Sequence, residues 1–149
     1  MGILVGVGLP SFRSMVINMR IKNASFDMHS ILLAARNEAV TRNAEVTITP
    51  KSGTNWASGW NVTTNSGAVT LKTQDALTGV AILPKSTAPY NSAPYTYPLA
   101  SIVYNSSGRL KAAVQPITLY ASGASGSSVG RCITLDLSGR PATAKGVCP

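Results

Sequence analysis

Residues 2–43, GILVGVGLPSFRSMVINMRIKNASFDMHSILLAARNEAVTRN, restrict the possible folds more than any other stretch of the chain. Residues 2–10 are apolar and uncharged and end on Pro10, which suits a kink or the first turn of a helix. Beyond it, Phe12, Met15, Val16 and Met19 recur at helical spacing, and Met28, Ile31, Leu32, Ala35 and Ala39 resume the period after the polar Lys22–Asn23. The apolar stripe changes face near residues 23–25, so the two halves of the helix should meet different partners. Arg36 and Arg42 fall outside the second set, which leaves its apolar side to pack on a sheet. Arg42 and Asn43 suit a helix end, a cation beside the negative dipole terminus and a residue tolerant of the left-handed conformation. A continuous helix over residues 10–43 would be about 50 Å long, too long for a head of about 100 residues to cover. Part of it must protrude.

After residue 43 the period changes from 3.6 to 2. Residues 45–49 alternate as a half-buried strand that should stop at Pro50, followed by a turn over 51–58 and a strand over 59–63. Residues 68–71 return across Asn65-Ser66-Gly67 as a hairpin. Short strands are expected at 80–83, 101–105, 109–113 and 117–121, and a last hairpin at 131–137 and 141–147 around Ser138-Gly139. Residues 84–98 hold four prolines and read as a Tyr-bearing surface loop, and 122–130 as a Gly/Ser loop. No internal repeat stands out.

Charge and cysteine usage narrow the function. Thirteen Lys and Arg face five acids, Asp27, Glu38, Glu45, Asp75 and Asp136, for a net charge of +8. Such an excess can draw nucleic acid or anionic lipid headgroups, or simply be a basic surface. Cys132 and Cys148 would staple the terminal hairpin in an oxidising compartment and would otherwise be two free thiols. They make no metal site, because zinc needs four ligands and the sole histidine, His29, is remote in the sequence. His29 is expected as an exposed helix residue. With no paired carboxylates, no Gly-x-Ser-x-Gly elbow, no phosphate loop and no cofactor motif, the chain does not read as an enzyme. Residues 2–10 are too short to span a bilayer, and no basic region with a cleavage site precedes them. The abrupt apolar start is expected to be either a truncation or an incomplete start.

Several segments resemble one family in the right order. These are residues 2–10 with Ser11-Phe12-Arg13, then Ala35-Arg36, Glu38-Ala39 and Arg42-Asn43 on the helix. The strand 46–49, Gly59-Trp60-Asn61-Val62, and the closing 131–140 with its Gly-Arg turn follow. Together they resemble the FimT/FimU/GspH family of minor type IV pilins and type II secretion pseudopilins, over nearly the whole chain. The resemblance implies an α+β, pilin-like fold: a long N-terminal helix (residues 1–43, apolar half 2–19) packed on antiparallel sheet, and a β-rich head (44–149). It implies assembly with other pilins through Leu4, Val5, Leu9, Phe12, Met15, Val16 and Met19. The place implied is the bacterial inner membrane with a periplasmic head, then the pilus tip. Some FimT members bind DNA through a C-terminal Gly-Arg-x-Arg motif. Here the second arginine is Ala142, with Lys145 three residues further on, and Gly108-Arg109-Leu110-Lys111 is a second basic turn. A site for double-stranded DNA would therefore draw on Arg140, Lys145, Arg131, Arg109 and Lys111. The third implied role is that of a secretion pseudopilin.

Overall fold

A computed structural model of the chain describes residues 5–64, 67–85, 99–122 and 130–149, with side chains from Phe12 onward. Helix α1 spans Val5–Arg42, so it passes through Pro10 instead of starting there. Pro10 has no N–H to give the Gly6 carbonyl, so one bond of the helical ladder is missing there. At the other end Asn43 adopts the left-handed conformation, φ 47°. Its N–H donates to the Val40 carbonyl (3.2 Å) and that of Ala44 to Ala39 (3.1 Å). That paired closure is the Schellman motif, and it is why the helix stops at Arg42.

The second apolar set is buried as its spacing predicts: Met28, Ile31, Leu32, Ala35 and Ala39. Ile21, Ala24 and Ser25 extend it toward the N-terminus. The change of face thus falls between Met19 and Ile21, slightly earlier than expected. Lys22 and Asn23 are polar but exposed, so they do not interrupt the buried stripe.

The head is two four-stranded antiparallel sheets. Strands β1 (Val46–Ser52), β2 (Asn55–Thr64), β3 (Val69–Gln74) and β5 (Ile102–Tyr104) form the first, in the order β3-β2-β1-β5. Strands β4 (Val80–Pro84), β6 (Ile117–Ala121), β7 (Gly130–Leu135) and β8 (Pro141–Lys145) form the second, in the order β4-β6-β7-β8. Helix α1 packs across both. The core between them holds Trp56, Trp60, Ile48, Ile117, Leu119 and Ile133, and the Trp56 Nε1–H donates to the Leu99 carbonyl at 2.9 Å. Buried indole is thereby packed and hydrogen-bonded at once.

Three local expectations are corrected. Strand β1 does not stop at Pro50 but runs to Ser52, with Pro50 opposite Trp60. Strand β5 pairs β1 only at residues 46–48, so Pro50 sits where one side of β1 has lost its ladder partner. The turn over 51–58 shrinks to Gly53-Thr54, with Ser52 facing Asn55 and Gly53 at φ 52°. Residues 109–113 form no strand, only isolated bridges at Leu110, to Tyr104, and at Ala113. The Leu110 N–H goes to Leu137 and the Lys111 N–H to Val103, so pairing there is split between two neighbours. Most of the Tyr-bearing loop and of the Gly/Ser loop lies outside the described residues.

Candidate functional surfaces

The first surface is the outer side of α1. Phe12, Met19, Phe26, Leu33 and Val40 recur every seven residues and are 67, 56, 62, 38 and 53% exposed. At 100° per residue this row lies about 160° around the helix from the buried stripe, so the head grips one side while an apolar ridge runs along the other. Of the expected assembly face, Phe12, Met15 and Met19 are exposed and Val16 is half-buried. Val5 and Leu9 fall within α1, and Leu4 lies outside the described residues. The ridge continues to Val40, well beyond the expected face. A seven-residue apolar repeat is the pattern by which helices pair in a shallow left-handed crossing.

The second surface is a pair of turns. Asn105-Ser106-Ser107-Gly108-Arg109 and Asp136-Leu137-Ser138-Gly139-Arg140 are two copies of one five-residue turn, a short repeat where none was expected. In both, the first side chain accepts from the arginine N–H (3.0 Å each) and the glycine N–H donates to the first carbonyl. Both glycines have positive φ, 72° and 81°. The turns abut: a Cβ on Gly139 would meet the Gly108 carbonyl oxygen inside contact distance and Tyr104 Cε1 at 2.9 Å. Arg36 closes the group by donating from Nε to the Gly108 carbonyl at 3.0 Å. The Ser138 hydroxyl, followed by the Arg140 N–H, holds the Asp136 carboxyl below the usual carboxylate range.

Beneath these turns the Tyr104 hydroxyl is buried with no hydrogen-bond partner among the described residues. Burial is the main cause that pushes its pKa up; nearby Arg36 opposes this and Asp136 adds to it. The raised pKa has a directional consequence for stability. Below about pH 10 Tyr104 is neutral whether folded or not, and it adds no pH dependence. Above that only the unfolded chain releases the proton, so stability should fall by about 1.4 kcal/mol per pH unit. In Tyr104→Phe that alkaline loss should shrink, with stability at pH 7 unchanged or higher because an unpaired buried hydroxyl is removed. Urea titrations at pH 7 and 11 test both.

The third surface is a groove of about 300 Å³ between α1 and the β7–β8 hairpin, lined by Lys22, Ser25, Phe26, His29, Arg131, Thr143, Ala144 and Lys145. Arg131 and Lys145 face each other across the β7–β8 ladder. His29 is half-buried, not an exposed helix residue, and its Nδ1 lies 3.1 Å from Thr143 Oγ1. The Lys22 ammonium sits 5.8 Å from the centre of the Phe26 ring.

The expected cation set therefore does not form one patch. Arg131 and Lys145 belong to the groove, while Arg140 and Arg109 belong to the twin turns at the other end of β8, about 16 Å away along the strand. Lys111 is paired with Glu45 at 2.8 Å. Lys22, Phe26 and His29 escape sequence reading because only the fold brings them to the hairpin. Their spacing on one helix face was the available signal.

The bridge Cys132–Cys148 is formed, with Cα atoms 4.9 Å apart, and ties β7 to the segment after β8.

The family model described as type II transport protein GspH matches residues 25–139. The chain belongs to the GspH family. The match runs from Ser25, where the head already covers the helix, to Gly139 in the second Gly-Arg turn. The GspH-family fold is also that of two solved proteins. The type IV minor pilin FimU of Pseudomonas aeruginosa superposes with a TM-score of 0.65 at 18% identity, over 87% of this chain and 88% of FimU. The minor pseudopilin EpsH of the Vibrio cholerae type II secretion system superposes with a TM-score of 0.56 at 13% identity, over 89% of this chain and 99% of EpsH. No curated protein matches the sequence significantly.

Proposed function

We propose that this GspH-family chain is a minor pilin that acts by assembly, not catalysis, as a tip or priming subunit of a type IV pilus. The observation that carries the reading is the ridge of α1. A helix held by its head on one side, with an exposed apolar residue at every seventh position from Phe12 to Val40, is suited to pack against another helix. In this reading residues 2–19 sit in the inner membrane before assembly and in the filament core afterwards, with the head in the periplasm. The described part of α1 is not long and apolar enough to cross a membrane. The Cys132–Cys148 bridge supports a compartment outside the cytosol. The likeness to FimU, a type IV minor pilin, and to EpsH, a type II secretion pseudopilin, supports both a pilus and a secretion pseudopilus as the final structure. Deletion of the gene separates them. Lost surface pili with intact type II secretion supports the minor pilin, the reverse supports the pseudopilin, and no change in either contradicts both.

The twin turns favour a second activity, binding of double-stranded DNA, since they bring two Gly-Arg tips together. Arginines at protruding turns pair with phosphates, and each contact adds salt-dependent affinity. A gel shift of the chain with duplex DNA at two salt concentrations should show binding that weakens with salt. Arg109→Gln with Arg140→Gln should lower the salt slope by about 2. No binding at low salt removes this activity.

A further inference from the structure

The groove between α1 and the β7–β8 hairpin lies apart from the twin turns and meets the ridge at Phe26, and its charge is unusual. Arg131 and Lys145 are direct cross-strand neighbours, an arrangement of like charges that weakens a sheet. Lys22 adds a third cation from the helix, and among the described residues no carboxylate lines the groove. Ser25 and the His29–Thr143 pair supply polar groups beside them. A local rule broken this way, with no compensating acid among the described residues, marks a candidate site for an anion.

The surroundings identify the anion. Going toward the N-terminus along the same side of α1, Met15 lies within about 20° of Lys22 and about 10 Å along the axis, with Met19 between them. Both methionines are exposed. Toward the N-terminus the cationic groove thus leads past Asn18 to the uncovered side chains of Met19 and Met15. A small anionic group continuous with a hydrocarbon chain would satisfy both. Phe26, exposed beside the cations, suits the boundary between headgroup and acyl chain.

We propose that this groove binds the phosphate headgroup of an anionic phospholipid, with the acyl chain lying along Met19 and Met15. The proposal rests on the reading that residues 2–19 sit in the membrane, since that places Lys22 one turn above the bilayer surface. In it, Arg131, Lys145 and Lys22 hold the phosphate and fix how the head stands on the membrane before assembly.

The test is flotation of the full chain with phosphatidylcholine vesicles and with vesicles about one-third phosphatidylglycerol, in which each cation near the surface adds on the order of fivefold to partitioning. The expected result is binding to both, at least tenfold stronger to the anionic vesicles. Lys22→Gln with Arg131→Gln and Lys145→Gln should lose that preference, and Arg109→Gln with Arg140→Gln should keep it, with unfolding midpoints no lower than that of the unaltered protein. If the triple variant does not fold, Lys145→Glu alone provides the comparison. An anionic preference that survives in the groove variant, or is lost equally in the twin-turn variant, overturns the site. Displacement from the vesicles by inorganic phosphate at matched ionic strength would make it a free-anion site instead. A groove variant that loses only binding to a single-stranded oligonucleotide would make it a nucleic-acid site. Equal binding to both vesicles overturns the groove alone, and no binding to either overturns the membrane reading with it.

Discussion

Gly139→Ala should lower the unfolding free energy by about 3 kcal/mol, combining left-handed backbone strain with overpacking of a closed contact. The position has φ 81°, and a Cβ there would press on the Gly108 carbonyl and on Tyr104. For a chain of this size the melting temperature should drop by about 10 °C. The two turns press on each other, so Gly108→Ala, whose Cβ would come within 2.8 Å of Val40 Cγ2, should not add its full cost to the first. Calorimetry of both single variants and the double measures that coupling. An unchanged melting temperature in Gly139→Ala would mean that the turns do not abut.

The second large effect comes from the opposite end of the same strand. Strand β8 is exposed along nearly its whole length, and little apolar burial holds it. It is kept in place by the Gly-Arg turn before it and by the Cys132–Cys148 bridge after it. Opening a bridge with a sequence separation of 16 should cost about 3 kcal/mol, through the added freedom of the unfolded chain. Cys132→Ala with Cys148→Ala should therefore lower the urea midpoint, and reductant should do the same to the unaltered protein but not to the variant. Cys148 also donates its N–H to Thr118 Oγ1 at 3.1 Å, so its loss should loosen the end of β8 where Lys145 stands. Equal midpoints with and without reductant would contradict this.

Much of the fold was legible because local chemistry and tertiary packing agree. The set from Met28 to Ala39, the Asn43 cap, strand β6 and the disulfide all stand where pattern places them. What escaped depends on contacts distant in sequence. Phe26, Leu33 and Val40 look like isolated apolar residues among polar ones, and only the buried stripe opposite makes them a ridge with Phe12 and Met19. Strand β1 reads as ending at Pro50, because which of its sides is paired there cannot be seen locally. Arg140 and Lys145 read as parts of one site, since sequence does not reveal that β8 sets them at opposite ends. The groove is the extreme case, because half its lining comes from the helix and half from the hairpin.

The ridge is what ties this fold to assembly, and Phe26→Asp with Leu33→Asp tests it most directly. Phe26, at the rim of the groove, is 62% exposed and Leu33 is 38% exposed, so the purified variant should fold and lose no more than about 1 kcal/mol per site. Carried as the only copy in the native cell, it should be made at normal levels yet be absent from sheared surface filaments. Recovery of the variant in filaments at the level of the unaltered protein would contradict assembly through this face.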